Sequence, residues 1–404
     1  MQSGSAGPTA LLLPDAPGAR AAWLDFVAAC YAAKGTPRAY FAAQLARDAA
    51  AGHRFTVGVV LAENGQMLST AKIFHRRVRL GYNDTSEGEA GEGEAGDTGA
   101  SSDAGESGKS RESGESGEGG GRVLSVAGVG AVCTAPGHRG QGLATRLLAF
   151  LAQECIVGGQ EHYAFGLSLL HAREEFRPFY RARGWAKTLR VPFVYLTVVP
   201  KRSARARAAE LIDRATGEPG RDLQAVMDVY EVYSGRLNGT EVRSDAYWRE
   251  VVAQSGCTFF VAPGEDGEAV GYYAAVDRYV VDKESGQRAW RCLEFGAHSS
   301  ASSSAQESQL VELIGHAIHS TMPHVAAPRD DGINNCAPAA EDSGRSMREA
   351  RKSHRIEVPA GSRLLRQENF SEEDCFFDDG WLYFTTDGAE YASENAVRWR
   401  TDNF

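Results

Sequence analysis

The fold of this 404-residue chain is decided by residues 129–148, which read VGAVCTAPGHRGQGLATRLL. The valine-rich residues up to Thr134 predict a buried strand, and a leucine-rich helix is predicted to begin near Leu143. Between them, Gly140 and Gly142 permit a tight turn and a close approach of backbone to a ligand. Successive N–H groups at the positive end of a helix suit an anion such as a pyrophosphate. The stretch therefore predicts a strand, an anion-binding turn and a helix.

Three kinds of phosphate loop compete for this turn. A dinucleotide-binding fingerprint would need a third glycine after Gly128 and Gly130, where Cys133 stands. A Walker loop needs Gly-Lys followed by Ser or Thr, which the turn lacks. The third kind fits, because Arg139-x-x-Gly142-x-Ala144 after a valine-rich strand resembles the acetyl-CoA signature of the GCN5-related N-acetyltransferases (GNAT). That family's pattern is Gln/Arg-x-x-Gly-x-Gly/Ala.

The resemblance implies a site for acetyl-CoA as the co-substrate, with no metal. The strand would splay from its neighbour and offer the backbone of Val132, Cys133 and Thr134 to the pantetheine arm. Arg139 would add positive charge or brace the turn. The pyrophosphate would lie on the backbone N–H groups of Gly140, Gln141, Gly142, Leu143, Ala144 and Thr145.

A second motif lies downstream, at residues 179–185, which read FYRARGW. It resembles the family's Phe-Tyr-x-x-x-Gly-Phe/Trp segment, in which the tyrosine protonates the departing CoA thiolate. The resemblance therefore implies that Tyr180 is the general acid. The alternative is that Tyr180 packs against Phe176 and Trp185 with its hydroxyl at the surface.

The general base is left open by the sequence, because residues 123–134 contain no acidic residue. Glu174 and Glu175 follow the next predicted strand, and a water chain is another choice. The chain also resembles the enhanced-intracellular-survival acetyltransferases, which carry a degenerate second half and use their C-terminal carboxylate. That resemblance implies a role for the carboxylate of Phe404.

The whole chain is predicted to be α/β (α+β), with a central mixed sheet flanked by helices. We predict a catalytic GNAT domain at 1–200, a linker or leading helix at 201–220, and a degenerate GNAT-like domain at 221–404. Residues 222–320 repeat the order helix, hairpin, strand, helix of residues 37–155. No Arg-x-x-Gly-x-Ala follows the second-half strand at 291–296, so this half is expected to wall the substrate cleft. The layout also resembles the fungal lysine N6-acetyltransferases.

Residues 84–121 form a low-complexity segment with twelve glycines, eleven acids and two bases. Such a composition cannot bury enough apolar surface to fold, so we predict a disordered insertion between two strands. The segment carries a net charge of -9 of the chain's -10, which leaves 42 acids against 41 bases elsewhere. The rest is nearly neutral, and a nucleic-acid partner is not expected.

Seven scattered cysteines without a CxxC motif favour reduced thiols over a disulfide framework or a zinc site. His316, His319 and His324 have no nearby carboxylate or cysteine to complete a metal site. No stretch is long and apolar enough for a membrane span or a signal peptide, so a cytoplasmic location is expected.

The function expected from these observations is an acetyl-CoA-dependent N-acetyltransferase that acts on a primary amine by direct attack. The resemblance favours free lysine or another small amine as acceptor. Two alternatives remain: a non-catalytic acyl-CoA-binding protein whose acidic segment recruits a partner, and a protein lysine acetyltransferase with an open groove.

Overall fold

The structure is a computed structural model of the chain. It describes residues 7–50, 52–80, 122–157, 165–237, 239–253, 257–264, 270–280, 288–298, 303–321, 354–359 and 375–385.

Twelve strands are found in the described residues. They are β1 (Thr9–Leu12), β2 (Thr56–Leu61), β3 (Met67–Leu80), β4 (Arg122–Thr134), β5 (Leu167–His171), β6 (Lys187–Val198), β7 (Arg207–Ala208), β8 (Thr258–Ala262), β9 (Tyr272–Val280), β10 (Arg288–Ala297), β11 (His354–Pro359) and β12 (Cys375–Thr385). The α-helices are α1 (Pro17–Tyr31), α2 (Arg38–Ala50), α3 (Leu143–Leu151), α4 (Arg177–Arg181), α5 (Leu223–Ser234), α6 (Asp245–Tyr247) and α7 (Ser303–Thr321). A π-helix at Ala152–Val157 continues α3, and another at Trp248–Val252 continues α6.

All these strands form one continuous sheet, in the order β1-β2-β3-β4-β5-β12-β6-β11-β10-β9-β8-β7. The order has a two-fold pattern, since β1 to β5 on one side are matched by β7 to β11 on the other. In each set the last two strands, β4 with β5 and β10 with β11, are parallel. This topology agrees with the internal repeat that the sequence suggests.

The two halves exchange a strand at the centre of the sheet. β6 follows the first set in the chain but pairs with β11, and β12 follows the second set but pairs with β5. The two exchanged strands also pair with each other, antiparallel. Each half is therefore completed by a strand of the other, although the predicted boundary at residue 200 itself stays a prediction.

The core on one face of the first half is built by α3. Leu147, Leu148 and Leu151 are fully buried against β3, β4 and the strand β2. A Cβ at Gly58 would lie 2.8 Å from Leu151 Cδ2 and 2.9 Å from Leu147 Cδ1, so the glycine allows α3 to approach the sheet. This packing fixes the N-terminus of α3 at the edge of the sheet opening described below.

The hairpin predicted from Asn64-Gly65 is formed by β2 and β3. Leu80 at the end of β3 pairs with Arg122 at the start of β4, so the predicted insertion 84–121 joins two paired strand ends. The insertion itself lies outside the described residues.

Three predicted elements differ from the structure. The sequence pattern predicts a first helix at Ala21–Lys34, but α1 begins at Pro17, because proline suits the first helical turn although Ala16 supplies no side-chain cap. The α-helix predicted to reach Cys155 ends at Leu151, where the π-helix takes over. Residues 201–220 form no leading helix; Arg207 and Ala208 pair with β8 as a charged edge strand.

Candidate active site

The sheet opens between β4 and β5. Their parallel pairing runs from Val126 with Leu167 to Gly128 with Leu169 and then stops. Beyond this point β4 pairs with β3 alone, and the end of β5 pairs with β12. We call the gap between residues 129–134 of β4 and residues 170–171 of β5 the strand opening. It places backbone groups of Val132, Cys133 and Thr134 beside a space that a neighbouring strand would otherwise fill.

A β-bulge bends β4 at the strand opening. Thr70 pairs with Cys133 and Lys72 with Gly130, so one residue of β3 faces two of β4, Ala131 and Val132. Within the described residues, Ala131 is the one non-glycine residue with positive φ, at 51°. The left-handed conformation costs an alanine about 1–2 kcal/mol, so the surrounding contacts hold this bend in place.

Three side-chain donors fix the carbonyl groups of this strand end. Tyr31 Oη donates to Val132 O at 3.4 Å, and Ser69 Oγ donates to Cys133 O at 2.9 Å. Arg139 Nε donates to Thr134 O at 3.4 Å. This contact connects the turn to the end of the strand, which corresponds to the bracing role expected for Arg139.

The residues 140–145, here the glycine turn, lie together at the start of α3. Gly140 and Gly142 have φ of 77° and 74°, the left-handed region that favours glycine. A Cβ at either position would meet no atom within 4 Å, so the space over the turn is open. The first helical bond runs from Arg146 N to Gly142 O, and Gly142 offers no side-chain cap. The N–H groups of Leu143, Ala144 and Thr145 therefore have no partner within the helix, as at an anion-binding helix N-terminus.

Arg183 places a permanent positive charge beside the glycine turn. Its Nε and Nη2 donate to Thr145 Oγ1 at 2.9 and 2.5 Å, and Nη1 donates to Phe179 O at 2.5 Å. Its guanidinium carbon lies 3.7 Å from the centre of the Phe179 ring. Sequence analysis missed this residue, which stands at a variable position of the Phe-Tyr-x-x-x-Gly-Trp motif.

Tyr180 lies on α4, close to Cys133 and Tyr31 at the strand opening. Burial raises the pKa of Tyr180 to about 12, and Cys133 adds to the rise. Burial also raises the pKa of Tyr31, and the titratable groups of Cys133 and Tyr180 add to the rise. The ring packs edge-on against Phe179 at 5.1 Å, whereas Phe176 is 48% exposed. Tyr180 thus keeps its proton over the whole neutral range.

The thiols of Cys133 on β4 and Cys30 on α1 are neighbours. Hydrogen bonding to Cys133 lowers the pKa of Cys30, while the same contact and burial raise the pKa of Cys133. Cys133 therefore stays protonated at neutral pH, and a protonated thiol is a poor nucleophile.

The expected base candidates do not gather at the strand opening. Glu174 and Glu175 are exposed, in a short 3₁₀ turn after β5, and Phe404 lies outside the described residues. An imidazole–carboxylate pair stands nearer instead: His171 Nε2 lies 3.0 Å from Asp378 Oδ1. Sequence analysis missed this pair because its members are 207 residues apart in the chain.

A buried charged network lies on β3 behind the opening. Lys72 Nζ pairs with Asp48 of α2, and Arg76 Nε lies 3.1 Å from Oε1 of Glu241 in the second half. Burial lowers the pKa of Lys72 to about 8, against the pull of Asp48. Burial and nearby cationic groups lower the pKa of His75 to about 4. These charges are paired with each other and brace the two halves.

In the described ranges no group of three histidine, cysteine or acidic side chains is arranged to hold a metal ion. His316 is a packed residue that accepts from Ser203 N and contacts Ser320 Oγ, both at 3.1 Å. Among the helices that the structure describes, none has the length and apolar character needed to cross a membrane.

Residues 118–188 match the family model of the acetyltransferase (GNAT) domain. A probable N-acyltransferase from Enterococcus faecalis is similar in structure, with 11% identity and a TM-score of 0.53. The alignment covers 94% of this chain and 72% of that chain. GCN5-related N-acetyltransferases from Anabaena variabilis and Kribbella flavida have 10% and 12% identity and TM-scores of 0.52 and 0.50. Their alignments cover 93% and 94% of this chain, respectively, and 72% of each of those two chains. No curated protein matches the chain in sequence.

These comparisons agree with the resemblance found in the sequence. The chain has the GNAT fold, and the match to the acetyltransferase (GNAT) domain at residues 118–188 covers both the glycine turn and Tyr180.

Proposed function

We propose that this GNAT chain transfers the acetyl group of acetyl-CoA to the primary amine of a small molecule by direct attack. The observation that carries the proposal is the strand opening of β4, which is followed along the chain by the glycine turn and has Tyr180 as an electrostatic neighbour of Cys133. Free lysine is the favoured acceptor, since the chain's layout resembles the fungal lysine N6-acetyltransferases.

The glycine turn would hold the CoA pyrophosphate on the backbone N–H groups of residues 140–145. Arg183 adds a fixed positive charge next to these groups, and its bond to Thr145 keeps the first turn of α3 in place. The pantetheine arm would run along Val132, Cys133 and Thr134, in the place where β5 leaves the backbone of β4 unpaired.

Tyr180 would protonate the CoA thiolate as it leaves. Its pKa of about 12 keeps the phenol protonated until a strong base forms beside it. The thiolate produced when the C–S bond breaks is such a base in a desolvated site. Cys133, which would border the thioester in this arrangement, is also an electrostatic neighbour of Tyr180.

The proposal is tested by measuring release of CoA thiol from acetyl-CoA by the full-length protein. Free lysine, other small amines, polyamines and lysine-containing peptides serve as acceptors at equal amine concentration. Release with small amines supports the proposal, and mass spectrometry of the product identifies the acetylated nitrogen. Release with peptides alone would make the chain a protein acetyltransferase. Tight binding of acetyl-CoA without release for any amine would make it an acyl-CoA-binding protein.

A further inference from the structure

His171 is the last residue of β5 and stands at the strand opening. It lies two residues beyond Leu169, the last residue that pairs with β4. A strand advances about 3.3 Å per residue, so His171 lies about 7 Å past the closed part of the sheet. Continued register would place it level with Gly130, the residue before the β4 bulge. Its position is therefore across the opening from the backbone that would hold the thioester.

The side chain of His171 lies on the sheet face away from α3. Side chains alternate along a strand, and Leu169, two residues earlier, belongs to the core cluster of Val126, Leu189 and Trp381. Leu170 instead packs with α3. His171 thus faces the side of the sheet opposite α3, with its side chain partly open to solvent.

Two residues of β12 fix the imidazole ring. Asp378 Oδ1 and Oδ2 lie 3.0 and 3.1 Å from His171 Nε2, and the ring packs edge-on against Trp381 at 5.2 Å. A carboxylate accepts a hydrogen bond, so Nε2 carries the proton and Nδ1 carries the lone pair. Among the described residues Nδ1 has no hydrogen-bond partner, and the side chain is 48% exposed.

A bulge in β12 brings both partners to the same ring. Residues three apart on a regular strand point to opposite faces, yet Asp378 and Trp381 both contact His171. The register against β6 shifts between them, from Asp378 with Val191 to Trp381 with Leu189. The extra residue turns Asp378 to the face that His171 occupies, as bulges next to functional sites often do.

From this arrangement we propose that His171 is the general base for the acceptor amine, and that Asp378 of the second half is its positioning residue. The inference rests on the proposed function. It also gives the second half a direct part in the chemistry, through the exchanged strand.

The proposed step conserves atoms, charge and electron pairs. Nδ1 of His171 takes one proton from the acceptor ammonium, and the freed lone pair forms the C–N bond to the thioester carbon. The C–S bond then breaks, and its electron pair stays on sulfur. Tyr180 protonates the sulfur, and the second proton lost by the nitrogen restores the phenol. The net products are the amide, the CoA thiol and one proton, which leaves His171 to solvent.

The test compares wild-type protein with His171→Gln, Asp378→Asn and the control Glu174→Gln, which alters an exposed acid close by. His171→Gln should lower kcat by about 10²–10⁴-fold, the usual contribution of general base catalysis, with the Kd of acetyl-CoA unchanged. Asp378→Asn should lower kcat less. The rate–pH profile of both variants is recorded as well, because the loss of a merely structural residue would leave the rising limb of that profile in place. Asp378 is the titratable group that faces His171 in the described residues.

Imidazole added to His171→Ala should restore part of the lost rate, which a merely structural residue would not allow. Circular dichroism and Tm confirm that each variant is folded. A His171→Gln enzyme with the wild-type rate and pH profile would overturn the inference. So would a chain extended beyond Phe404 that loses turnover while His171→Gln keeps it, since the base would then be the terminal carboxylate. Wild-type protein that releases no CoA with any amine would overturn the proposed function itself, and this role with it.

Discussion

Arg183 donates to Thr145 Oγ1 from two of its nitrogens, and this contact joins the end of α4 to the first turn of α3. The same α4 carries Tyr180, and the same turn of α3 carries the open N–H groups. Binding of the pyrophosphate and protonation of the thiolate are thus assigned to two elements held in one fixed arrangement. Separate substitutions can test the two roles.

Gly142→Asp should lower the affinity for acetyl-CoA by tenfold or more, about 1.4 kcal/mol. Gly142 has φ 74° and open space around its Cβ position, so the variant places a negative charge where the pyrophosphate would lie. Gly142→Ala is the matched control, because it shares the backbone strain and lacks the charge. Calorimetry measures the affinity of both variants for acetyl-CoA. Equal affinities for the Asp and Ala variants would remove the phosphate from this turn.

Tyr180→Phe should lower kcat by about 10²–10⁴-fold while the Kd of acetyl-CoA stays the same. The substitution keeps the edge-on contact with Phe179 and removes only the proton that the thiolate needs. Tyr40→Phe, at a tyrosine that is 47% exposed, is the control and should keep the wild-type rate. Steady-state kinetics would exclude the acid role if Tyr180→Phe turned over at full rate.

Replacement of residues 84–121 by a short Gly-Ser linker should leave turnover within about threefold, or roughly 0.7 kcal/mol. The reason is geometric: the segment joins Leu80 and Arg122, which are already partners in the sheet, and a short turn can close that pair. Turnover and Tm are compared with those of the full chain. Loss of activity in a folded variant would give the acidic segment a part in handling substrate.

Residues 1–200 expressed alone should aggregate or associate, because they lack β12. Without it the edges of β5 and β6 are bare, including the partners of Leu382 and Phe376. Co-expression with residues 201–404 should yield a soluble complex. Size-exclusion chromatography measures the association state of the fragment and of the complex. A monomeric 1–200 fragment with a cooperative thermal transition would contradict the prediction.

The free energy of unfolding should fall as the pH drops from about 6.5 to 4. Burial lowers the pKa of His75 from 6.5 to about 4, so between these values the unfolded chain binds more protons than the folded one. Stability is therefore present above the unfolded pKa and is lost in acid. His75→Gln can keep the hydrogen bond with Thr56, now 2.8 Å long, and should flatten this part of the profile. Urea unfolding at several pH values measures the slope, with His319→Gln as the control.

The sequence predicts the glycine turn well because its determinants are local. Gly140, Gly142 and the leucines of α3 are close neighbours in the chain, and each acts through backbone conformation or helical spacing. Apolar runs likewise predict strands β8 and β11 with their bounds. The Asn64-Gly65 turn predicts the hairpin at 55–61 and 67–79, and its two strands differ from these bounds by one residue each.

The exchanged strands and the His171–Asp378 pair could not be predicted in this way. They depend on which strand lies between β5 and β6, and that choice is made by contacts more than 200 residues apart. The apolar pattern predicts a strand only at 381–386, whereas β12 runs from Cys375 to Thr385. Asp378 and Asp379 interrupt the pattern, and the bulge shifts it by one residue. The same bulge that obscures the strand brings Asp378 to His171.

Strand exchange also delays completion of the first half of the sheet during synthesis of the chain. The ribosome makes β5 about 200 residues before β12. At about 5–20 residues per second, about 10–40 s pass between the synthesis of the first half and that of the strand that completes it. During this interval the chain exposes an unpaired sheet edge in the middle of its future core. A chaperone that shields such edges, or slow release of the nascent chain, should therefore decide the yield of active protein more than the stability of the finished sheet.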